Sequence, residues 1–465
     1  MFVPGIQLSS LRFFKSHCQL HSFQEAKLFQ RIIQNALAKL QHGYLTLVDG
    51  DHQHSYGDPS AGLKATLKIH SPNFYRRVAL GGGLGAAESL MDGEWSCTDL
   101  TSLVRILIRN DELANGMETG WAWWRQKMAV FGNWLRRNTP TNARKNIREH
   151  YDLGNDFFRL FLDDTLCYSS GIFERDDTTL PEASVEKMDR ACRKLELSSR
   201  DHLLEIGTGW GGLATHAAHH YGCRVTTTTI SAEQRKFASE RVRQKGLEQR
   251  VSILADDYRE LRGHFDKLVS IEMIEAVGHQ YFDTYLGQCS RLLRPDGMMV
   301  MQAIVIQDQH FAVHKRSVDF IGKYIFPGGC LPSVAAICDS VSRATDFRLI
   351  HLEELSGHYV RTLQAWRERF WQNIEAVRKL GFDERFIRMW NYYFCYCEAT
   401  FLERRVNVVQ MTLAKPACRS EANHWLSRPP VTDWIECHGD PDFKGDARSR
   451  SNGHDTSARR KEVNA

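Results

Sequence analysis

The fold of this chain is decided by the stretch His202-Leu203-Leu204-Glu205-Ile206-Gly207-Thr208-Gly209-Trp210-Gly211-Gly212. An apolar strand here runs into a glycine-rich turn, and a helical run from Leu213 to Tyr221 follows. Glycine tolerates positive φ and lets a ligand approach the backbone, and a helix N-terminus offers unpaired N–H groups. The spacing of the glycines at 207, 209 and 211 differs from the GxGxxG turn of dinucleotide-binding proteins. The stretch predicts a strand, a turn and a helix. The turn either binds a ligand or is a structural connection between strand and helix with no ligand.

Composition limits the classes of protein that this chain can belong to. With 465 residues, two or three domains are expected. The formal charge of +4 gives no reason to expect a nucleic-acid partner. No apolar run approaches the roughly 20 residues that cross a bilayer, and residues 1–23 lack the apolar segment of a secretory signal. The twelve cysteines show no paired spacing, so we expect free thiols, no metal site and a cytoplasmic location.

Composition and hydrophobic pattern divide the chain into five segments. These are an amino-terminal extension (1–21), a smaller α+β domain (22–115), a linker helix (116–143), a catalytic domain (144–415) and a polar tail (416–465) to which we assign no fold. The linker is rich in Trp and Arg between Trp121 and Arg137. Such a stripe either packs between domains or meets a membrane surface.

Strand-like and helical runs alternate between residues 144 and 306. Strands are expected at 203–206, 225–230, 251–254, 268–271 and 298–306. This alternation predicts an α/β fold with a doubly wound, largely parallel sheet. In such sheets ligands bind at the carboxyl ends of the strands, which is where the glycine turn lies.

Four further motifs accompany the glycine turn, at 149–158, 166–173, 270–279 and 319–329. The turn itself, Glu205-x-Gly-x-Gly-x-Gly, resembles the first motif of class I S-adenosylmethionine (SAM) methyltransferases. In this order, the five motifs resemble the cyclopropane-fatty-acyl-phospholipid synthases and the related SAM-dependent mycolic acid cyclopropane synthases. The resemblance covers roughly 145–410 and extends to the amino-terminal segment at 83–95. It implies a class I SAM-methyltransferase sheet with helical acyl-binding insertions, plus a smaller α+β amino-terminal domain.

The resemblance also assigns residues to SAM. The three glycines match the first motif, two residues match a SAM-contacting pair, and four lie near the ends of the next two strands, where the ribose and adenine would lie. No acid ends the second strand, which is a departure from most class I enzymes. The SAM-contacting residues implied are Tyr168, Ser169, Gly207, Gly209, Gly211, Thr229, Ile230, Gln234 and Asp257.

Ring formation on a lipid chain needs a base, because methyl transfer to an alkene leaves a carbocation. In the family that this chain resembles, the base is thought to be a bound bicarbonate. By that resemblance Glu275, Tyr359 and the backbone of Ile304 belong to its site. Two positions depart from the family: Ser170 stands where cysteine is common, and Gln302 where histidine is common. Both residue types can still donate hydrogen bonds to an anion, but the fate of the carbocation becomes an open question.

The resemblance implies an enzyme that transfers a methylene group from SAM to cis double bonds of unsaturated phospholipid acyl chains, forming cyclopropane fatty acids. The implied partner is a phospholipid membrane surface, met peripherally at its inner face through 121–137 and 320–326; a homodimer is also compatible with the sequence. Three alternatives stay open. They are an enzyme forming methyl- or methylene-branched acyl chains, a small-molecule N-methyltransferase, and a lipid-binding protein without catalysis.

Overall fold

A computed structural model describes residues 27–110, 153–420, 424–427, 429–431 and 434. The predicted extension (1–21), the linker helix (116–143) with its Trp- and Arg-rich stretch, and most of the polar tail lie outside the described residues. Each of the two longer described ranges contains one β-sheet.

The amino-terminal sheet has four strands in the order β2-β1-β3-β4, with β1 parallel to β3 and antiparallel to β2. Helix α2 is interrupted at Gly82, whose φ of 54° and ψ of −140° are not helical. The glycine cluster at 81–85 therefore marks a kink within a helix. The elements are α1 (27–37), β1 (Tyr44–Asp49), β2 (His52–Gly57), β3 (Lys64–Ile69), α2 (Asn73–Met91), β4 (Trp95–Cys97) and α3 (Leu100–Arg109).

The second sheet has seven strands in the order β10-β11-β9-β8-β5-β6-β7. Strands β5 to β9 pair in parallel, and β11 runs antiparallel to both of its neighbours. The predicted doubly wound, largely parallel sheet is confirmed. Its strands are β5 (His202–Ile206), β6 (Arg224–Thr228), β7 (Val251–Leu254), β8 (Phe265–Ile271), β9 (Leu293–Ile306), β10 (Arg348–Glu354) and β11 (Val406–Ala414).

Helices cover both faces of this sheet, as its apolar strands require. A cluster that includes Leu203 and Leu213 packs on one face, and a cluster that includes Leu268 and Tyr285 packs on the other. The helices are α4 (Asn155–Arg159), α5 (Leu180–Lys194), α6 (Gly212–His220), α7 (Ala232–Gln244), α8 (Phe282–Leu292), α9 (Asp308–His314), α10 (Val334–Ala344), α11 (Ser356–Gln372), α12 (Ile374–Lys379) and α13 (Glu384–Leu402).

Helix α13 joins the two sheets into one structure. The guanidinium groups of Arg105 and Arg109 on α3 lie 2.7 and 2.8 Å from the carboxylate of Glu403, at the end of α13. Nearby, the Thr101 hydroxyl donates to the buried carboxylate of Glu398. The amino-terminal domain thus holds α13 in place, and the other side of α13 forms one wall of the cavity described next.

Candidate active site

A cavity of about 1030 Å³ lies at the carboxyl ends of β5, β6 and β8. Strands β6 and β7 lie on one side of β5, and β8 and β9 lie on the other. The cavity therefore lies at the point where the strand order reverses, which is where ligands bind in such sheets. Most of the residues assigned from the sequence line it: Tyr168, Ser169, Gly207, Gly209, Thr229, Ile230, Gln234, Asp257, Glu275, Ile304 and Tyr359. Gly211, Ser170 and Gln302 do not.

The glycine turn fits a bound SAM molecule. Gly207, Gly209 and Gly211 have φ angles of 103°, 50° and 83°, in the region that favours glycine. A Cβ added to Gly209 would meet nothing within 4 Å, so the backbone there borders open cavity. A Cβ at Gly211 would instead lie 3.0 Å from the Cβ of Ala238. Gly209 thus allows ligand approach, while Gly211 allows α6 to pack against α7.

The residues assigned to the adenosine moiety of SAM lie together at the ends of β6 and β7. The Thr229 hydroxyl donates to the Gln234 side-chain oxygen at 3.0 Å. Both carboxylate oxygens of Asp257 accept from the Arg259 guanidinium at 2.7 Å. An adenine amino group would share that carboxylate with Arg259, so the acid is already held in one orientation.

The pair at 168–169 lies beside a cation that sequence reasoning did not single out. Lys187 on α5 is buried and donates to the Ser169 hydroxyl at 2.6 Å. The Tyr168 hydroxyl donates to that of Tyr393 on α13 at 3.0 Å. Lys187 lines the cavity. Its ammonium is suited to the carboxylate at the amino-acid end of SAM.

A second carboxylate, Glu272, occupies the centre of the predicted base site. One of its oxygens accepts from the Ser170 backbone N–H at 2.9 Å and from the Gln302 amide at 2.8 Å. The other accepts from the Tyr359 hydroxyl at 2.8 Å. Sequence reasoning missed this residue, although it immediately follows β8, three positions before Glu275.

The three predicted donors therefore meet at Glu272. Ser170 and Gln302 are fully buried and do not border the cavity, whereas Glu272 does. The Ser170 hydroxyl donates to the Gly171 carbonyl at 3.0 Å, so this residue contributes its backbone and not its side chain. We expected both residues to face a bound anion directly, and the structure differs because the Glu272 side chain lies between them and the cavity.

Glu275 borders the same cavity with one oxygen unpaired. Its other oxygen accepts from the Ile304 backbone N–H, so the group expected to contact a bound anion instead binds this carboxylate. The second oxygen, Oε2, is buried and has no hydrogen-bond partner among the residues that the structure describes. A partnerless carboxylate oxygen at a cavity wall is available to a ligand.

The two carboxyl groups have different electrostatic environments. Burial, with the nearby Glu272 charge as a second cause, raises the pKa of Glu275 to about 8. Burial also raises the pKa of Glu272, but hydrogen bonds from Gln302, Ser170 and Tyr359 favour its ionised form. Of the two, Glu272 is the better anion and Glu275 the better neutral acid when no cation is nearby.

A pH-dependent stability follows from these buried acids. Burial also raises the pKa of Glu205, on β5, to about 8. Between the unfolded pKa near 4.5 and the folded value, the folded state binds more protons, so stability falls as pH rises. Each group contributes at most about 1.4 kcal/mol per pH unit.

For this reason Glu275→Gln should gain thermal stability relative to the unsubstituted protein as pH rises from 5 to 8. The measurement is the difference in unfolding midpoint between the two proteins, without SAM, at several pH values. A difference that does not change with pH would contradict the raised pKa of Glu275. Glu248→Gln, at an exposed position, is the control.

Aromatic side chains form the wall opposite the sheet. The Tyr359 and Phe401 rings stack with centroids 4.5 Å apart, and Tyr168 lies 6.2 Å from Phe326. All four residues border the cavity. Such a wall is apolar yet can stabilise positive charge through its π faces.

The 320–326 segment, which the sequence predicts as a membrane contact, is partly buried, with Lys323 exposed. Phe320 is 3% exposed and its ring lies 4.8 Å from that of Tyr392. The Tyr324 hydroxyl donates to Glu88 of α2 at 2.9 Å. The segment is turned inward because its aromatic residues pack on α13 and on the amino-terminal domain. The other predicted contact, Trp121–Arg137, lies outside the described residues.

Comparison with known proteins identifies the family. The family model described as "Mycolic acid cyclopropane synthetase" matches residues 138–411, more than half of the chain. The chain belongs to this family. The match includes β5 to β10, most of β11, the glycine turn and both glutamates.

Two known relatives each match about three quarters of this chain. Tuberculostearic acid methyltransferase UfaA1 of Mycobacterium tuberculosis is 39% identical over 380 residues, which are 77% of this chain and 84% of the relative. Cyclopropane-fatty-acyl-phospholipid synthase of Escherichia coli is 36% identical over 356 residues, 76% of this chain and 88% of the relative.

Solved structures of the family agree with the fold. The M. tuberculosis cyclopropane synthase MmaA2 has a TM-score of 0.55 at 31% identity, covering 58% of this chain and 98% of its own. Mycolic acid cyclopropane synthase CmaA1, solved with S-adenosylhomocysteine (SAH) and CTAB, has a TM-score of 0.55 at 32% identity over the same shares. This family member is a SAM-dependent methyltransferase.

Proposed function

We propose that this enzyme transfers a methylene group from SAM to a cis double bond of an unsaturated phospholipid acyl chain, forming a cyclopropane ring. The observation that carries the proposal is a single cavity that joins the glycine turn, an aromatic wall and two carboxyl groups. Methylation of an alkene needs these three features: a place for SAM, a dry apolar slot, and a proton acceptor.

The chain's own residues divide this work. When bound, SAM supplies a methyl group with the electrophilic character of a sulfonium. The glycine turn and Lys187 would hold it at one end of the cavity, and the aromatic wall would hold the acyl chain at the other. The rings of Tyr359 and Phe401 exclude water and can stabilise a cation on the chain by about 2 kcal/mol when desolvated.

The names of the relatives support a fatty acyl substrate. The Escherichia coli relative is named for action on fatty acyl phospholipids, and the UfaA1 relative for methylation to tuberculostearic acid. A free fatty acid and an acyl phospholipid present the same alkene to the cavity. We favour the phospholipid because of the cations in the cavity lining, which are described below.

A methylene-branched product is the second candidate. Ser170 and Gln302 depart from the residues common in the family, and a relative named as a methyltransferase matches at 39% identity. A hydride shift from the methyl-bearing carbon to the cationic carbon, followed by loss of a methyl proton, would leave a methylene branch (C=CH2) on the acyl chain. Ring and methylene products have the same added atoms, so only their structures distinguish them.

Expression in a host that lacks such an enzyme tests the proposal. Fatty acids released from the phospholipids would be identified by mass spectrometry, and NMR would distinguish ring protons from methylene protons. We expect acyl chains that have gained one CH2, with the ring as the product. Chains without added carbon, in cells that contain folded protein, would overturn the proposed function; a methylene product would favour the second candidate.

Access to a phospholipid requires contact with a membrane surface. In the described ranges, no helix has both the length and the apolarity to span a bilayer. The cavity lining includes Lys315 and Arg316, neither of which has an ion pair among the described residues, and Val313 of the same lining is 69% exposed. We propose that this corner meets the phosphate groups at the inner face of the membrane, with Val313 entering the interface.

Reversing both charges should weaken membrane binding. Each cation near an anionic surface contributes about 1 kcal/mol, so Lys315→Glu with Arg316→Glu should reduce binding to anionic liposomes by at least about tenfold. Sedimentation with liposomes at low salt measures this. The matched control reverses Lys64 and Lys68, two exposed cations on β3, and should bind as the unsubstituted protein does. Equal loss in both double variants would contradict a specific contact.

A further inference from the structure

Glu272 is held as an anion would be held in a binding site. Its carboxylate accepts three hydrogen bonds, from the Ser170 backbone, the Gln302 amide and the Tyr359 hydroxyl, at 2.8 to 2.9 Å. These are the same residues that the family resemblance assigns to a bound bicarbonate. A bicarbonate at this position would find its donors engaged, so the residues present do not fit that ion.

The backbone at Glu272 is also unusual. Its φ is 48°, in the left-handed region that residues other than glycine seldom adopt. Its N–H donates to the Gln302 carbonyl at 2.8 Å, which ties the end of β8 to β9. Strained backbone of this kind is typical of functional positions. Here it places the carboxylate between the buried donors and the cavity.

We propose that Glu272 supplies, from the chain itself, the carboxylate that removes the proton from the methylated acyl chain, so that this enzyme needs no bicarbonate. The proposal rests on the proposed function. It assigns Glu272 as a catalytic residue and Gln302 and Ser170 as positioning residues.

SAM, the acyl chain and Glu272 together account for every bond and proton in this step. The alkene π pair forms a bond to the methyl carbon, the sulfur–carbon bond breaks with its electron pair remaining on sulfur, and the neighbouring chain carbon becomes cationic. Glu272 takes one proton from the new methyl group, and the C–H electron pair closes the ring. Glu272 ends the step as a neutral acid and loses its proton to water when the product leaves.

Glu275 complements this base. Its Oε2 has no hydrogen-bond partner within the described part of the chain, and the Glu272 charge is one cause of its raised pKa. A positive charge nearby favours ionisation of a carboxyl group. Glu275 can therefore become charged when the cavity holds a cation, and offset that cation while Glu272 accepts the proton.

Chemical rescue tests the proposal. Glu272→Gly removes the carboxylate, opens its space and suits the positive φ, whereas Glu272→Gln fills the space with an uncharged group. In bicarbonate-depleted buffer, we expect both variants to lose turnover by about 100-fold or more. Added bicarbonate should restore Glu272→Gly at least partly and leave Glu272→Gln unchanged. The unsubstituted enzyme should work equally well with and without added bicarbonate.

The pH dependence of thermal stability provides a second measurement that does not depend on turnover. Loss of the Glu272 charge removes one cause of the raised pKa of Glu275, so the pH-dependent loss of stability assigned to Glu275 should shift to lower pH in Glu272→Gly. SAM affinity by calorimetry shows that the variants still fold and bind. No shift in this pH dependence would contradict the coupling on which the assignment depends.

The outcomes separate the two proposals. If the unsubstituted enzyme transfers no labelled methyl group from SAM to unsaturated phospholipid, the proposed function fails. If it transfers label but stops when bicarbonate is depleted, the function stands and the role of Glu272 fails. Turnover in Glu272→Gln at the rate of the unsubstituted enzyme would overturn that role as well.

Discussion

Replacement of Glu275 with Gln is expected to lower turnover by about 100-fold or more, the scale of a lost electrostatic stabiliser of transition-state charge. The variant keeps the size of the side chain and a group that can accept from the Ile304 N–H. It loses the ability to ionise. Because the pKa of Glu275 is raised to about 8 in a neutral cavity, a nearby cation should lower it and produce a charge that glutamine cannot provide.

The measurement is methyl transfer from labelled SAM to vesicles of unsaturated phospholipid, with SAM affinity followed by calorimetry. Affinity should change little, because the glycine turn and Lys187 are left intact. Bicarbonate should not restore Glu275→Gln, since Glu272 still engages the three donors. The exposed Glu248→Gln is the matched control. Unchanged turnover in Glu275→Gln would place the chemistry on other residues.

The fold could be predicted because its signals are local. The strand, glycine turn and helix at 202–220 lie in one continuous stretch, and each later strand has its own apolar run. Strands β10 and β11, which lie beyond residue 306, were not predicted; the residues of β10 are half-buried or exposed and include charged side chains. Local pattern also does not show how Gly82 bends α2 instead of ending it.

The candidate site was predictable to a lesser extent. Family motifs indicated the glycine turn, Glu275 and Tyr359, and residues of all three border one cavity. They did not indicate that Tyr359, Gln302 and Ser170 would all bind Glu272, because these contacts join residues 30 to 102 positions apart. A pair of acids three positions apart after a buried strand was the available signal. Only the tertiary structure shows which of the two is held by donors and which has an unpaired oxygen.

Membrane-contact residues were also difficult to predict from the sequence. The aromatic residues of 320–326 have the composition of a membrane contact, yet Phe320 is buried on α13. Composition alone does not indicate whether aromatic side chains face the protein core or a membrane, because they are common in both environments. Lys315 and Arg316 became candidates for membrane contact only because the structure places them in the cavity lining.

Gly209→Val is expected to abolish SAM binding. The φ of Gly209 is 50°, and a Cβ there would project into open space at the cavity wall. The branched valine side chain would occupy the volume in which the ligand must approach the backbone of the turn. Calorimetric titration with SAM should detect no binding at concentrations that saturate the unsubstituted protein.

Strain is the competing explanation for such a loss, since valine at positive φ is unfavourable at any site. Gly246 provides a matched control: its φ is 63°, a Cβ there would also meet nothing within 4 Å, and it does not line the cavity. Gly246→Val should therefore lose similar thermal stability and still bind SAM. Binding lost in Gly209→Val and kept in Gly246→Val would show that the ligand, and not the fold, requires glycine at 209. Full SAM affinity in a folded Gly209→Val protein would remove the turn from the binding site.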